Sequence, residues 1–178
     1  MKRILGLVLA VLALGAAVGG AAGTASAGGT SCPRGWGSRP KVHLTGSTGE
    51  MHDVRTGRHG CYDRLVIDVD GDLSGYSVRY VDAVAMDGSG APVPLRGGAR
   101  LLIVATAPTM STDGIFLPNG ELANVRQYRT FRQVAWAGSF EGQTSIGLGV
   151  RARLPFRVRL LDGPGHRSRL IVDVAHHW

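Results

Sequence analysis

The residues whose types could do chemistry are few, and their spacing sets what each could do. His176 and His177 invite a metal site. Neighbours in an extended strand point to opposite faces, so the pair alone is a poor chelate. Folding would have to bring in His166, His52, His43 or His59, and a polar chain end is the simpler account. Asp68, Asp70 and Asp72 open like a calcium loop, but such a loop also needs a later bidentate glutamate between helices. An aspartate-rich turn fits better. The chain lacks a Gly-x-Ser-x-Gly elbow, a His-Glu-x-x-His zinc helix and a phosphate-binding Gly-Lys-Ser/Thr loop. A catalytic cysteine needs a free thiol beside a base, and the two cysteines, Cys32 and Cys61, read as a pair. The expectation is a protein without catalytic residues, metal or cofactor.

Arginine is the remaining chemical resource. Lys and Arg together number 20 against 13 acidic residues, and only Lys2 and Lys41 are lysines. The planar guanidinium fork can hold a carboxylate or phosphate through two bonds, which suits anionic polymers of a bacterial envelope. Arg79, Arg151, Arg153 and Arg157 are the candidate ligand contacts, with Trp136 as a stacking platform and Glu141 beside them. The segment Gly138-Ser139-Phe140-Glu141-Gly142 has a structural reading too. Phe140 would plug the core at a tight connection, and Glu141 would pair with Arg151 or Arg153. The basic residues are not clustered with interleaved aromatics, which argues against nucleic acid.

Those residues need a scaffold, and its bounds come from the bulk of the chain. Residues 1–27 have the three parts of a secretory signal: Lys2 and Arg3, the apolar run Ile4–Val18, and the small residues Ala25-Ser26-Ala27. The apolar run is short for a bilayer span of about 20 residues, and no later run is longer, so no integral membrane segment is expected after cleavage. Roughly 150 residues remain, enough for one domain. In an exported chain Cys32 and Cys61 are expected to form a disulfide, anchoring the Gly/Ser-rich leader 28–40.

From about Tyr62 the chain reads as short strands between turns, with no amphipathic helix of useful length. Leu65, Ile67 and Val69 alternate with Arg64, Asp68 and Asp70. Further strands are expected over Tyr76–Met86, Ala99–Thr106, Thr130–Ala137, Gln143–Arg151, Pro155–Leu161 and Ser168–Ala175. Residues 107–128 lack a period and read as a long loop, with a helical turn around Glu121–Arg126. This spacing of about eight strands predicts an all-β fold, an antiparallel β-sandwich or partly closed barrel. The line Arg64-Leu65-Val66-Ile67-Asp68-Val69 is nearly repeated as Arg169-Leu170-Ile171-Val172-Asp173-Val174. If the two copies lie antiparallel in register, Arg64 approaches Asp173 and Asp68 approaches Arg169, a clasp between strands.

The closing stretch PFRVRLLDGPGHRSRLIVDVAHH resembles the terminal hairpin of the AMIN domain of bacterial cell-wall amidases. Taken with HGCYDRLVIDVDG, GYSVRYV, DGSG, LRGGARL and AWAGSFEGQTSIGLGVRARLPFRV, it resembles the AMIN-like domain of secreted proteins and lipoproteins of actinobacteria, over about Arg58 to His177. The resemblance implies a non-catalytic exported β-domain, here 41–178, acting at the cell envelope by binding peptidoglycan or an anionic wall polymer. The alternative is an extracellular protein-interaction or inhibitor-like module using the 107–128 loop around Ile115, Phe116 and Leu117.

Overall fold

The computed structural model describes residues 32–46, 49–73, 75–109 and 120–178. The expected signal segment lies outside them, as do Ile115, Phe116 and Leu117. Cys32–Trp178 forms one compact unit. Its strands are β1 (Lys41–His43), β2 (Glu50–Arg58), β3 (Tyr62–Asp70), β4 (Tyr76–Val81), β5 (Val84–Ala85), β6 (Pro92–Val93), β7 (Ala99–Ala105), β8 (Phe131–Phe140), β9 (Gln143–Val150), β10 (Phe156–Asp162) and β11 (Arg167–Ala175). The described residues contain no helix, and therefore none long and apolar enough to cross a membrane.

Two antiparallel sheets, β1-β4-β7-β9-β8 and β10-β11-β3-β2, form a β-sandwich rather than a closed barrel. Period-2 alternation explains the packing. Leu65, Ile67 and Val69 of β3 and Leu170, Val172 and Val174 of β11 turn into one core with Val78, Leu101, Ile103, Ile146 and Leu148 of the facing sheet. A second, smaller cluster of Val84, Leu95, Ala135 and Ala137 covers the back of the five-stranded sheet. Gly149 permits this cover, because a Cβ there would collide with the Arg96 carbonyl oxygen.

Several expectations change in detail. The stretch Tyr76–Met86 divides into β4 and β5, with a bend at Asp82. Strand β2 was not expected, because its buried Met51 and Val54 are three residues apart. A bulge between Met51 and Asp53 inserts His52 and returns both side chains to the core face. Among the described residues of the 107–128 segment, Leu122, Ala123 and Val125 are buried, and a hydrogen-bonded turn from Val125 to Tyr128 replaces the expected helical turn.

The repeated line is a pair of neighbouring strands. β3 and β11 run antiparallel with Asp173 opposite Arg64 and Arg169 opposite Asp68. Arg64 grips Asp173 through Nε at 2.6 Å and Nη2 at 3.0 Å. The second expected pair does not form. Asp68 instead accepts from Arg55 of β2 at 2.5 and 2.9 Å, while Arg169 Nη2 donates to the Asp162 carbonyl. An aspartate between two strands meets arginines from both, and β2 supplies the better fork.

Candidate functional site

The back of the four-stranded sheet is the most chemically loaded surface among the described residues. Alternation that sends Leu65, Ile67 and Leu170 inward sends Arg64, Asp68, Arg169 and Asp173 outward, and β10 adds Arg157 and Arg159 opposite Asp173 and Ile171. Asp173 is fully buried beneath these arginines. Besides Arg64, its oxygens hold Arg157 at 2.9 Å and Arg159 at 3.6 Å. One carboxylate thus restrains three cations, leaving local positive charge and unused guanidinium donors. The carboxylate raises the Arg64 guanidinium further above its ordinary value, chiefly through the hydrogen bonds and against partial burial.

Aromatic rings continue the arginine layer. The Arg157 guanidinium lies 4.3 Å from the Trp36 ring centre and 5.4 Å from that of Tyr62, while Arg64 lies 5.2 Å from Tyr62. Such stacking holds planar cations in place while keeping their edges available for hydrogen bonds. The leader is in position because Cys32 is disulfide-bonded to Cys61, as expected, with Cα atoms 5.3 Å apart. Phe156 N also donates to the Gly37 carbonyl at 2.8 Å. Further along the same face, His52, Asp53, Arg55, Asp68, Arg167 and Arg169 help line a cleft of about 360 Å³. Arg159 Nε and Arg169 Nε are buried without a hydrogen-bond partner.

The six candidate contacts are not gathered in one groove. Arg157 is in the arginine layer. Arg153 is not part of it, lying 4.9 Å from the Tyr80 ring of β4 and within 3.5 Å of Ser38 in the leader. Arg151 turns to the His176 carbonyl. Arg79 stands on β4 of the other sheet, exposed beside Ser77. Trp136 is half-buried against the core rather than presented as an open platform. Glu141 does not pair with Arg151 or Arg153. It sits in the β8–β9 turn with φ of 50°, followed by Gly142 at 79°. β9 then separates it from Arg151 by eight residues, roughly 26 Å of extended chain. Phe140 does not plug the core either; it is 53% exposed at the same turn.

Trp36, Arg64, Arg159 and Asp173 were not among the candidate contacts. The disulfide next to Tyr62 was the available signal for Trp36, and the repeated line was the signal for Arg64 and Asp173.

The polar-end account of His176 fails as well. Its ring is buried, with Nε2 3.1 Å from Asp63 Oδ1, while Asp63 Oδ2 accepts from Thr130 N at 2.6 Å and Phe131 N at 3.1 Å. His177 is exposed.

Tyr80 locks the opposite edge. Its hydroxyl donates to Leu154 O at 2.8 Å and accepts from Leu154 N at 2.9 Å. Burial pushes the phenol above its ordinary value of 10.0, outweighing the lowering by Leu154 and Arg153. The folded protein therefore holds this proton more tightly than the unfolded chain. That contribution is complete below the ordinary value and is lost as pH rises through the folded-state value. Tyr80→Phe is expected to cost about 1–2 kcal/mol at pH 7 by orphaning the Leu154 groups. It should also flatten the alkaline decline, as urea unfolding at neutral and alkaline pH would show.

The family model of the AMIN-like domain matches residues 49–176. No curated protein matches the chain significantly. The matched span runs from just before β2 through β11, and so contains both sheet centres, the Arg64–Asp173 clasp and the Asp63–His176 pair that ties β3 to the residue after β11. On that match and the all-β architecture that accompanies it, the chain belongs to the AMIN-like domain family.

Proposed function

We propose that the protein is a secreted, non-catalytic binding module that holds peptidoglycan or another anionic wall polymer against the back of its four-stranded sheet. The observation carrying this reading is the arginine layer organised by buried Asp173 and flanked by Trp36 and Tyr62. Three guanidinium groups share one carboxylate, so an incoming carboxylate or phosphate meets donors already oriented and partly desolvated. The neighbouring rings offer flat apolar surface to a sugar chain. Family membership and the disulfide support a cell-envelope or extracellular setting.

Cosedimentation with purified sacculi across a salt series tests the proposal. The expected result is saturable retention at low salt that weakens as the Debye length shrinks from about 10 Å at 0.1 M to 3 Å at 1 M. Absence of retention at low salt by folded protein would exclude the proposal.

A further inference from the structure

Four strands form the margins of the two large sheets: β1 and β8 of the five-stranded sheet, β2 and β10 of the four-stranded one. A bare strand edge is a template for another extended chain, and three of these edges are short or covered. β1 has three residues. β8 receives the Leu122 N–H at the Val134 carbonyl and the Asp87 N–H at the Ala137 carbonyl. β2 gives its Met51 N–H to the Pro108 carbonyl and its Val54 N–H to Asp53, and Tyr128 bonds to Thr56 beyond them. β10 is seven residues long and has a single outer rung among the described residues, from Phe156 N–H to the Gly37 carbonyl at 2.8 Å.

That rung fixes which backbone groups stay open. In an antiparallel ladder the N–H and C=O of one residue point the same way and alternate along the strand. Phe156, Val158 and Leu160 therefore turn theirs away from β11, while Arg157, Arg159 and Leu161 turn theirs toward it. The same alternation follows from Ala175 N–H donating to the Pro155 carbonyl and Gly163 N–H to the Arg167 carbonyl. Side chains divide as well. Val158 and Leu160 lie half-buried at the margin of the core. Arg157 and Arg159 stand on the back of the sheet, where Arg159 keeps 38% of its side chain exposed and has no carboxylate oxygen nearer than that of Asp173 at 3.6 Å.

We propose that the free edge of β10 binds an extended acidic segment of a partner protein, which continues the ladder that Gly37 begins. The two N–H and two C=O groups of Val158 and Leu160 supply its backbone bonds, as in other cases of strand addition. Residues directly opposite share a face of the sheet. The segment therefore carries apolar side chains opposite Val158 and Leu160 and acidic ones opposite Arg157 and Arg159, in either strand direction. Charge also argues against a second copy of this chain at the edge. Pairing β10 with itself about a two-fold axis would set the arginines of both copies on one face, and like charges opposite one another destabilise a strand pair.

The test is a titration of isotopically labelled protein, without wall material, with the capped peptide Thr-Val-Glu-Val-Glu-Thr, followed by backbone amide shifts and hydrogen exchange. The Val158 and Leu160 amides should shift and exchange at least about tenfold more slowly at saturation, while those of Arg157 and Arg159, already bonded to β11, change less. Three comparison peptides should each bind at least about tenfold more weakly: Thr-Glu-Glu-Val-Val-Thr, the glutamine version, and the original methylated on alternate backbone nitrogens. Leu160→Pro should bind the original peptide at least about tenfold more weakly, since proline on an edge strand removes an outward N–H and no ladder bond. The proposal is overturned if the peptide leaves the Val158 and Leu160 amides unprotected, or if any comparison peptide binds as well, which would mark a plain anion site. It is also overturned if those two amides become protected as the protein alone is concentrated, which would place a second copy at the edge. Sacculus retention is measured separately, so its absence would count against the wall-polymer proposal alone.

Discussion

Asp173→Asn lowers the unfolding free energy by about 3 kcal/mol, at the lower end for breaking a buried charge cluster because the arginines keep some solvent contact. The carboxylate is fully buried, and among the described residues it is the one acidic group paired with Arg64, Arg157 and Arg159, offsetting their mutual repulsion. The neutral amide keeps the shape but not the charge, leaving three converging cations. Thermal unfolding should show a drop of roughly 10 °C for a domain of this size. Added salt should narrow the gap by screening the repulsion among partly exposed guanidinium groups. A drop unaffected by salt would point to lost packing instead of lost charge.

Asp63→Ala is expected to cost more, about 3–5 kcal/mol. The side chain is 1% exposed and serves three donors: Thr130 N, Phe131 N and His176 Nε2. Truncation leaves all three buried without a partner, at about 1–3 kcal/mol for each group that finds no substitute. The loss should be regional before it is global. Thr130 immediately precedes Phe131, the first residue of β8, while His176 follows β11 and its N–H donates to the Cys61 carbonyl. Amide exchange should therefore quicken at Thr130, Phe131 and His176, with the centres of β3, β7 and β9 protected until global unfolding. Uniform loss of protection would show that Asp63 acts on the whole core and not as a local tie.

Much of the architecture was legible because apolar alternation and turn residues agree along most of the chain. β3 and β11 could be read directly, since both carry a buried aliphatic row opposite an arginine and an aspartate, whereas their antiparallel pairing was an arrangement the repeated line allows and does not dictate. β2 could not, because its bulge at His52 breaks the two-residue period that reveals a strand. The clasp was half legible for a related reason. Given antiparallel pairing in register, sequence tells which residues face each other across β3 and β11, but not that Arg55 approaches Asp68 from the other side.

The candidate site was legible in kind and not in place. Arginine abundance pointed to anions, yet residues on one face need not be near in sequence. Arg157 and Arg64 share Asp173 although they come from different strands, whereas Glu141 and Arg151 are ten positions apart and stand at opposite ends of β9. Trp36 was hidden because an aperiodic leader gives no sign of the surface it covers. The disulfide and the Phe156–Gly37 backbone hydrogen bond place it there. The burial of His176 was hidden too, because a terminal His-His reads as polar until a partner carboxylate is located.

The most direct test of the arginine layer is sacculus retention of Arg159→Gln and Arg169→Gln beside Arg79→Gln, at low salt and with folding confirmed for each. Arg159 and Arg169 lie on the back of the four-stranded sheet and each has a buried Nε with no hydrogen-bond partner, while Arg79 lies on the other sheet. The wall-polymer account predicts retention weakened several-fold in the first two and unchanged in the third. Equal retention by all three, or loss confined to Arg79→Gln, would contradict it.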